Sequence, residues 1–185
     1  MGGKTHTGLL HRIATYDDEL AFKELYYIYY DRLFRFAMHF VKCEDICEEV
    51  VSDVFFNIWQ NRRQLSHIEN VESYLFKAIK NQSLHYTEKS KQHPVHDELS
   101  FTMEYAIDTD NPESLLLNDE LNKVLQYAIG SLPDKCRTIF KLVHEDGLPY
   151  KQIAEILGIS VRTIDAQMAI ATKKIRAIVK KYTSV

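Results

Sequence analysis

Asp45, Glu49 and Asp53 recur at intervals of four residues, and Ser52, Phe56 and Gln60 continue the same stripe of a helix expected from about residue 44 to 60. Carboxylates one helical turn apart can hold a divalent cation or pass a proton. Either use needs further ligands or a base facing a cleft, and no histidine accompanies this set. An aromatic ring within an acidic stripe instead suits a protein interface, where charges surround a buried anchor. Asp45, Glu49, Asp53 and Phe56 are therefore assigned to a protein partner. Catalytic residues, a metal site and a cofactor are expected to be absent. Cys43, Cys47 and Cys136 form no CxxC pair, which favours reduced thiols over a disulfide framework or a zinc cluster.

A second constellation mixes cations, amides and rings: Arg62 and Arg63, then Tyr74, Lys77, Lys80, Asn81, His85 and Tyr86. Cations follow a phosphate backbone while rings and pockets hold unstacked bases, so this pattern suits single-stranded DNA. Arg62, Arg63, Lys77, Lys80, Asn81 and His85 are the candidates, because Tyr74 and Tyr86 serve equally well as core.

The most specific pattern is YKQIAEILGISVRTIDAQMA, Tyr150 to Ala169. Ala154 is small where two helices cross, Gly158 permits the left-handed backbone of a tight turn, and Ile153, Leu157, Ile159 and Ile164 close the pair. In the helix that follows, Ile164, Met168, Ala171 and Ile175 share the inner face. Arg162, Ala166, Ala169, Lys173 and Arg176 then lie on the outer one, beside Thr163 and Asp165, where a recognition helix meets the major groove. With Ala166, Ala169 and Ile170 on it, that face offers apolar contacts, for example to a thymine methyl.

The elements that position these groups are all helical. Phe22, Tyr26, Tyr29, Leu33, Phe36 and Phe40 mark one amphipathic helix after a capping box Thr15/Asp18. Ile46, Val50, Val54 and Ile58 mark the buried side of a second. A third starts after the N-cap Asn70 and carries Leu75, Ala78, Ile79 and Tyr86 inward to about Lys91. These helices are expected to make the first lobe, a bundle of three or four. Periodicity fails from Pro94 to Pro112, a linker composition. A second capping box, Ser131/Asp134, is expected to open a helix reaching Gly147, followed by helices over Tyr150 to Leu157 and Ser160 to Tyr182. The expectation is an all-α chain of two small domains, 1–92 and 113–185, joined by an acidic linker at 93–112.

Charge follows the same division. Residues 1–60 carry a net −4 and 61–92 a net +3; residues 93–130 carry −7 and 131–185 carry +5, within a total of −3. Basic segments attract phosphates and acidic ones are repelled by them, so two DNA-facing surfaces flank an acidic connector. No apolar run approaches the roughly 18 residues of a membrane span, and Met1 to Arg12 lacks the apolar stretch of a signal peptide. A cytoplasmic location without membrane insertion is expected. Gly3, Lys4 and Thr5 lack the earlier glycine and strand of a phosphate-binding loop.

These features, in this order, resemble the sigma-70 family of RNA polymerase sigma factors, specifically its extracytoplasmic-function group, which keeps sigma domains 2 and 4. Phe22 to Val41 resembles the opening helix of domain 2. EDICEEVVSDVFFNIW, Glu44 to Trp59, is similar to the family's polymerase-binding helix, with Glu49 and Asp53 at its characteristic acidic positions. NVESYLFKAIKNQSLHYTEKSKQ, Asn70 to Gln92, resembles the segment that melts and reads the minus-10 element, with Asn81 at the typical asparagine. The resemblance makes Arg62 to Glu69 the loop that captures a flipped base. Leu132 to Tyr182 resembles domain 4, although Ala169 and Ile170 stand where the family more often has polar or basic residues. The resemblance implies core RNA polymerase as partner, through its beta-prime clamp and beta flap, together with promoter DNA at minus-10 and minus-35 elements and an anti-sigma factor. It also implies that the acidic linker threads the polymerase as a nucleic-acid mimic. The alternative reading is a helix-turn-helix regulator whose first lobe is an interaction domain.

Overall fold

A computed structural model describes residues 3–92 and 112–183, with side chains described over 8–88 and 120–182. Among these residues every regular element is helical: α1 (Gly3–Tyr16), α2 (Glu19–Ala37), α3 (Glu44–Gln60), a 3-10 turn (Arg62–His67), α4 (Val71–Gln92), α5 (Pro112–Gly130), α6 (Asp134–His144), α7 (Tyr150–Leu157) and α8 (Val161–Thr183). The acidic connector falls almost wholly outside the described residues. No described helix is long and apolar enough to cross a membrane. No group of three or more His, Cys, Asp or Glu among the described residues is placed to hold a metal ion.

The chain divides into two compact units. The first gathers, of the described residues, 3–92 with 151–160, and thus α1 to α4 and most of α7. Of the three or four helices expected in the first lobe, α1 is the one given no span in the sequence reading; its Leu9, Leu10 and Ile13 are buried. Asp18 starts α2 by accepting a hydrogen bond from Ala21 N at 3.0 Å. That bond, and then the Arg12 guanidinium, hold the Asp18 carboxyl below its usual range. The expected partner in a capping box, Thr15, lies inside α1, where its hydroxyl meets His11 at 3.4 Å.

Helix α2 touches α1, α3 and α4, so its buried surface is wider than a single stripe and turned from the expected one. Ala21, Leu25, Tyr29, Leu33, Phe36 and Ala37 are buried, whereas Phe22, Tyr26 and Phe40 are half-buried. Aromatic rings knit the seams: Phe22 to Trp59 at 4.9 Å, Tyr26 to Phe55 at 4.8 Å and Phe36 to Phe76 at 4.9 Å between centroids. Such tilted pairs add to the area they bury. Val50, Val54 and Ile58 of α3 are buried as the spacing predicts, joined by Cys47, Val51 and Phe55, while Ile46 is only half-buried. Asn70 caps α4, its Oδ1 accepting from Ser73 N at 2.9 Å. Arg32 ties α2 to α4 by an ion pair with Glu72 at 2.7 Å.

The second unit holds, of the described residues, 112–150 and 161–183. Leu132, Cys136 and Ala171 form its core, with Phe140 and Ile175 packed against them. The proposed capping box at Ser131 does not form. Its hydroxyl donates back to the Ala128 carbonyl at 2.7 Å, and α6 begins after Pro133 with no side-chain cap. Helix α6 ends at His144, before Gly147, which adopts φ +66° in the following turn. Gly158 adopts φ +72° between α7 and α8, and a Cβ there would meet nothing within 4 Å. Backbone conformation, not space, is what requires glycine at that turn.

Candidate docking and nucleic-acid interfaces

Helix α3 presents Asp45 and Glu49 as exposed carboxylates and Phe56 as a ring 62% exposed, because its opposite face is committed to the core. Glu44 and Asp45 occupy the first turn, where the positive end of the helix dipole favours them. Asp53, assigned with Asp45, Glu49 and Phe56 to a protein partner, is less open than a docking residue is expected to be. It is half-buried, and its Oδ2 accepts from Tyr86 Oη at 2.8 Å and from Gln82 Nε2 at 3.0 Å. Burial first, then hydrogen bonds to Asp53 and Glu49, push the Tyr86 phenol well above its usual range, so it remains a donor. Gln82 and Tyr86 are partners the sequence reading missed. Their spacing of four residues on α4 is the only signal it contained.

Arg62 and Arg63 open the 3-10 turn and differ in setting. Arg62 is half-buried: its guanidinium lies over the Trp59 ring at 4.6 Å, donates to the Trp59 carbonyl at 2.9 Å and pairs with Asp17. Arg63 is exposed. Together with Gln60, Asn61 and Gln64 they line a concavity of about 400 Å³. On α4, Lys77, Asn81 and His85 follow one another at four-residue steps and share a face. Asn81 and His85 are exposed, Lys80 is half-buried, and Lys77 Nζ pairs with Glu155 Oε1 at 2.6 Å within the first unit. Tyr74 is 38% exposed on the same helix.

In the second unit Arg162, Thr163, Asp165, Ala166, Ala169 and Lys173 of α8 are all exposed, as is Arg176. Ile164, Met168 and Ala171 are buried on the opposite side, which fixes the rotation of the helix about its axis. Asp165, Ala169, Lys173 and Arg176 border an open groove of about 730 Å³ with His144 and Tyr150.

Comparison with known proteins joins these surfaces into one type of molecule. The Sigma-70 region 2 family model matches residues 25–92 and the Sigma-70 region 4 family model matches residues 123–175. The ECF RNA polymerase sigma-E factor of Haemophilus influenzae is 25% identical over 171 residues, 89% of each chain. The ECF RNA polymerase sigma factor SigW of Bacillus subtilis is 24% identical over 158 residues, 82% of this chain and 84% of that one. Among solved structures, the sigma factor RpoE in complex with the anti-sigma factor NepR from Bartonella quintana matches with a TM-score of 0.60 and 22% identity, over 86% of this chain and 96% of that one. CnrH in complex with the cytosolic domain of CnrY matches with a TM-score of 0.58 and 19% identity, over 95% and 97%.

An all-helical chain carrying these two regions is a transcription initiation factor of the sigma type. It belongs to the sigma-70 family, in the extracytoplasmic-function group.

Proposed function

We propose that this sigma factor docks on the beta-prime clamp of core RNA polymerase through Asp45, Glu49, Asp53 and Phe56, and brings two DNA-reading surfaces to the promoter. The observation that carries this reading is Phe56, a large ring left 62% exposed on the same helix stripe as the exposed carboxylates Asp45 and Glu49. A desolvated aromatic anchor flanked by charge pairs is how an interface concentrates its binding energy. Asp53 receives both of its hydrogen bonds on Oδ2, so a partner's guanidinium approaches through Oδ1.

The 3-10 turn and α4 then open and read the minus-10 element. The concavity beside Arg62 and Arg63 takes an unstacked base while Lys80, Asn81 and His85 follow the strand. Helix α8 enters the major groove of the minus-35 element with Arg162, Thr163, Asp165, Ala166, Ala169 and Lys173, and the first helices of this half touch the beta flap. In this reading residues 1–92 and 113–185 are the two functional domains. The acidic residues of 93–112 follow the path of nucleic acid through the polymerase. The protein works in the cytoplasm, and an anti-sigma factor restrains it. The anti-sigma factor NepR bound to RpoE in one of the two similar structures supports that last point.

Reconstitution with core polymerase and a random promoter library tests the whole reading. Transcripts should derive from templates sharing two short sequence blocks at a fixed spacing. Enrichment of one block, bound equally well without polymerase, would instead identify an ordinary helix-turn-helix regulator.

A further inference from the structure

The tandem Asp17–Asp18 serves two different arginines. Asp18 caps α2 and pairs with Arg12 at 2.7 Å, while Asp17 pairs with Arg62, far along the chain. Asp17 does so from the left-handed region, φ 51°, which aspartate tolerates better than most side chains but which is still uncommon. Arg62 is thereby held on three sides, by the Trp59 ring, the Trp59 carbonyl and the Asp17 carboxylate. Helix α1 packs along the same 3-10 turn, in which Leu65 is buried. Both α1 and Asp17 precede residue 25, where the match to sigma-70 region 2 begins.

An ion pair whose carboxylate side chain is 52% exposed adds little to stability, because water screens it and two side chains must be ordered to form it. What such a pair does fix is direction. With Arg62 pinned, the turn that carries Arg63 and Gln64 keeps one orientation, and the concavity they line keeps its shape. We propose that Asp17 is a positioning residue for promoter reading: through Arg62 it fixes the 3-10 turn so that its concavity accepts an unpaired nucleobase, making the α1–α2 corner part of the minus-10 reader. The inference rests on the turn being that reader, as proposed above.

The test uses holoenzyme assembled from the full chain and core polymerase, and promoters carrying each base in turn at every minus-10 position. Asp17→Asn should leave the unfolding temperature and the affinity for core polymerase at wild-type values. It should reduce base discrimination by about fivefold at one position, the size set by an exposed ion pair. Arg62→Ala should flatten the same position, and Asp17→Glu should restore part of the loss. An unchanged profile for Asp17→Asn alongside a flattened one for Arg62→Ala would overturn the positioning role and leave the turn as reader. If Arg62→Ala and Arg63→Ala both kept the wild-type profile, the turn itself would not be the reader and the inference would fall with it. A uniform loss at all positions, matched by lost stability, would reduce Asp17 to a structural residue and also overturn it.

Discussion

The Tyr86 hydroxyl donates to the Asp53 carboxylate at 2.8 Å, joining the helix proposed to dock on polymerase to the helix proposed to open DNA. Tyr86→Phe removes that donor and leaves Gln82 to satisfy the half-buried Asp53 alone. Partial exposure lets water replace the lost bond, so the cost should be about 1 kcal/mol, short of the full price of a deep unsatisfied carboxylate. Urea unfolding of the two proteins measures it, and equal stability would show that the bond contributes nothing.

Docking should depend on the exposed members of the stripe. Glu49→Lys combined with Phe56→Ala should weaken binding to core polymerase by about 2 kcal/mol or more, roughly thirtyfold, with the helical circular dichroism unchanged. Both side chains are exposed, and the unchanged circular dichroism separates lost docking from any effect of losing the Glu49 contact with Tyr86. Wild-type affinity in a quantitative pull-down would place the docking surface elsewhere.

Opening should be separable from docking. Lys80→Ala and Asn81→Ala should still form holoenzyme yet lower permanganate reactivity of thymines near the start site. Full reactivity in both variants would remove α4 from the melting step.

The three thiols should react very unequally. Cys43 is exposed, Cys47 and Cys136 are buried, and burial pushes the Cys47 thiol up to about 12. The thiolate is the nucleophile, so Cys47 should stay almost wholly a thiol even at pH 9 and react far more slowly than the exposed Cys43. Mass spectrometry after iodoacetamide should show one adduct on the folded protein and three on the denatured one. Rapid native labelling of Cys47 would contradict its burial.

How much of this was legible from the sequence depends on the range of each interaction. The spans of α7 and α8 and the rotation of α8 could be read, because Ile164, Met168 and Ala171 repeat at helical spacing and all three are buried. The Asn70 cap could be read because it acts three residues away. Ser131 misled because a hydroxyl near a helix junction can bond backward as readily as forward, and here it bonds Ala128. Asp53 with Tyr86, and Asp17 with Arg62, join side chains 33 and 45 residues apart, beyond any local pattern. Helix α1 escaped notice because its buried Leu9, Leu10 and Ile13 span little more than one turn.

The central claim is that both DNA-reading surfaces act only when polymerase holds them, since each lobe alone makes a small, salt-sensitive interface. Gel shifts on one selected promoter, with and without core polymerase, test it most directly. The free chain should bind weakly, with steep salt dependence and little preference for the promoter over unrelated DNA. Holoenzyme should bind specifically, and Arg162→Ala should weaken it by about 1 to 3 kcal/mol if that side chain reads a base. Tight, promoter-specific binding by the free chain, unaffected by core polymerase, would contradict the account.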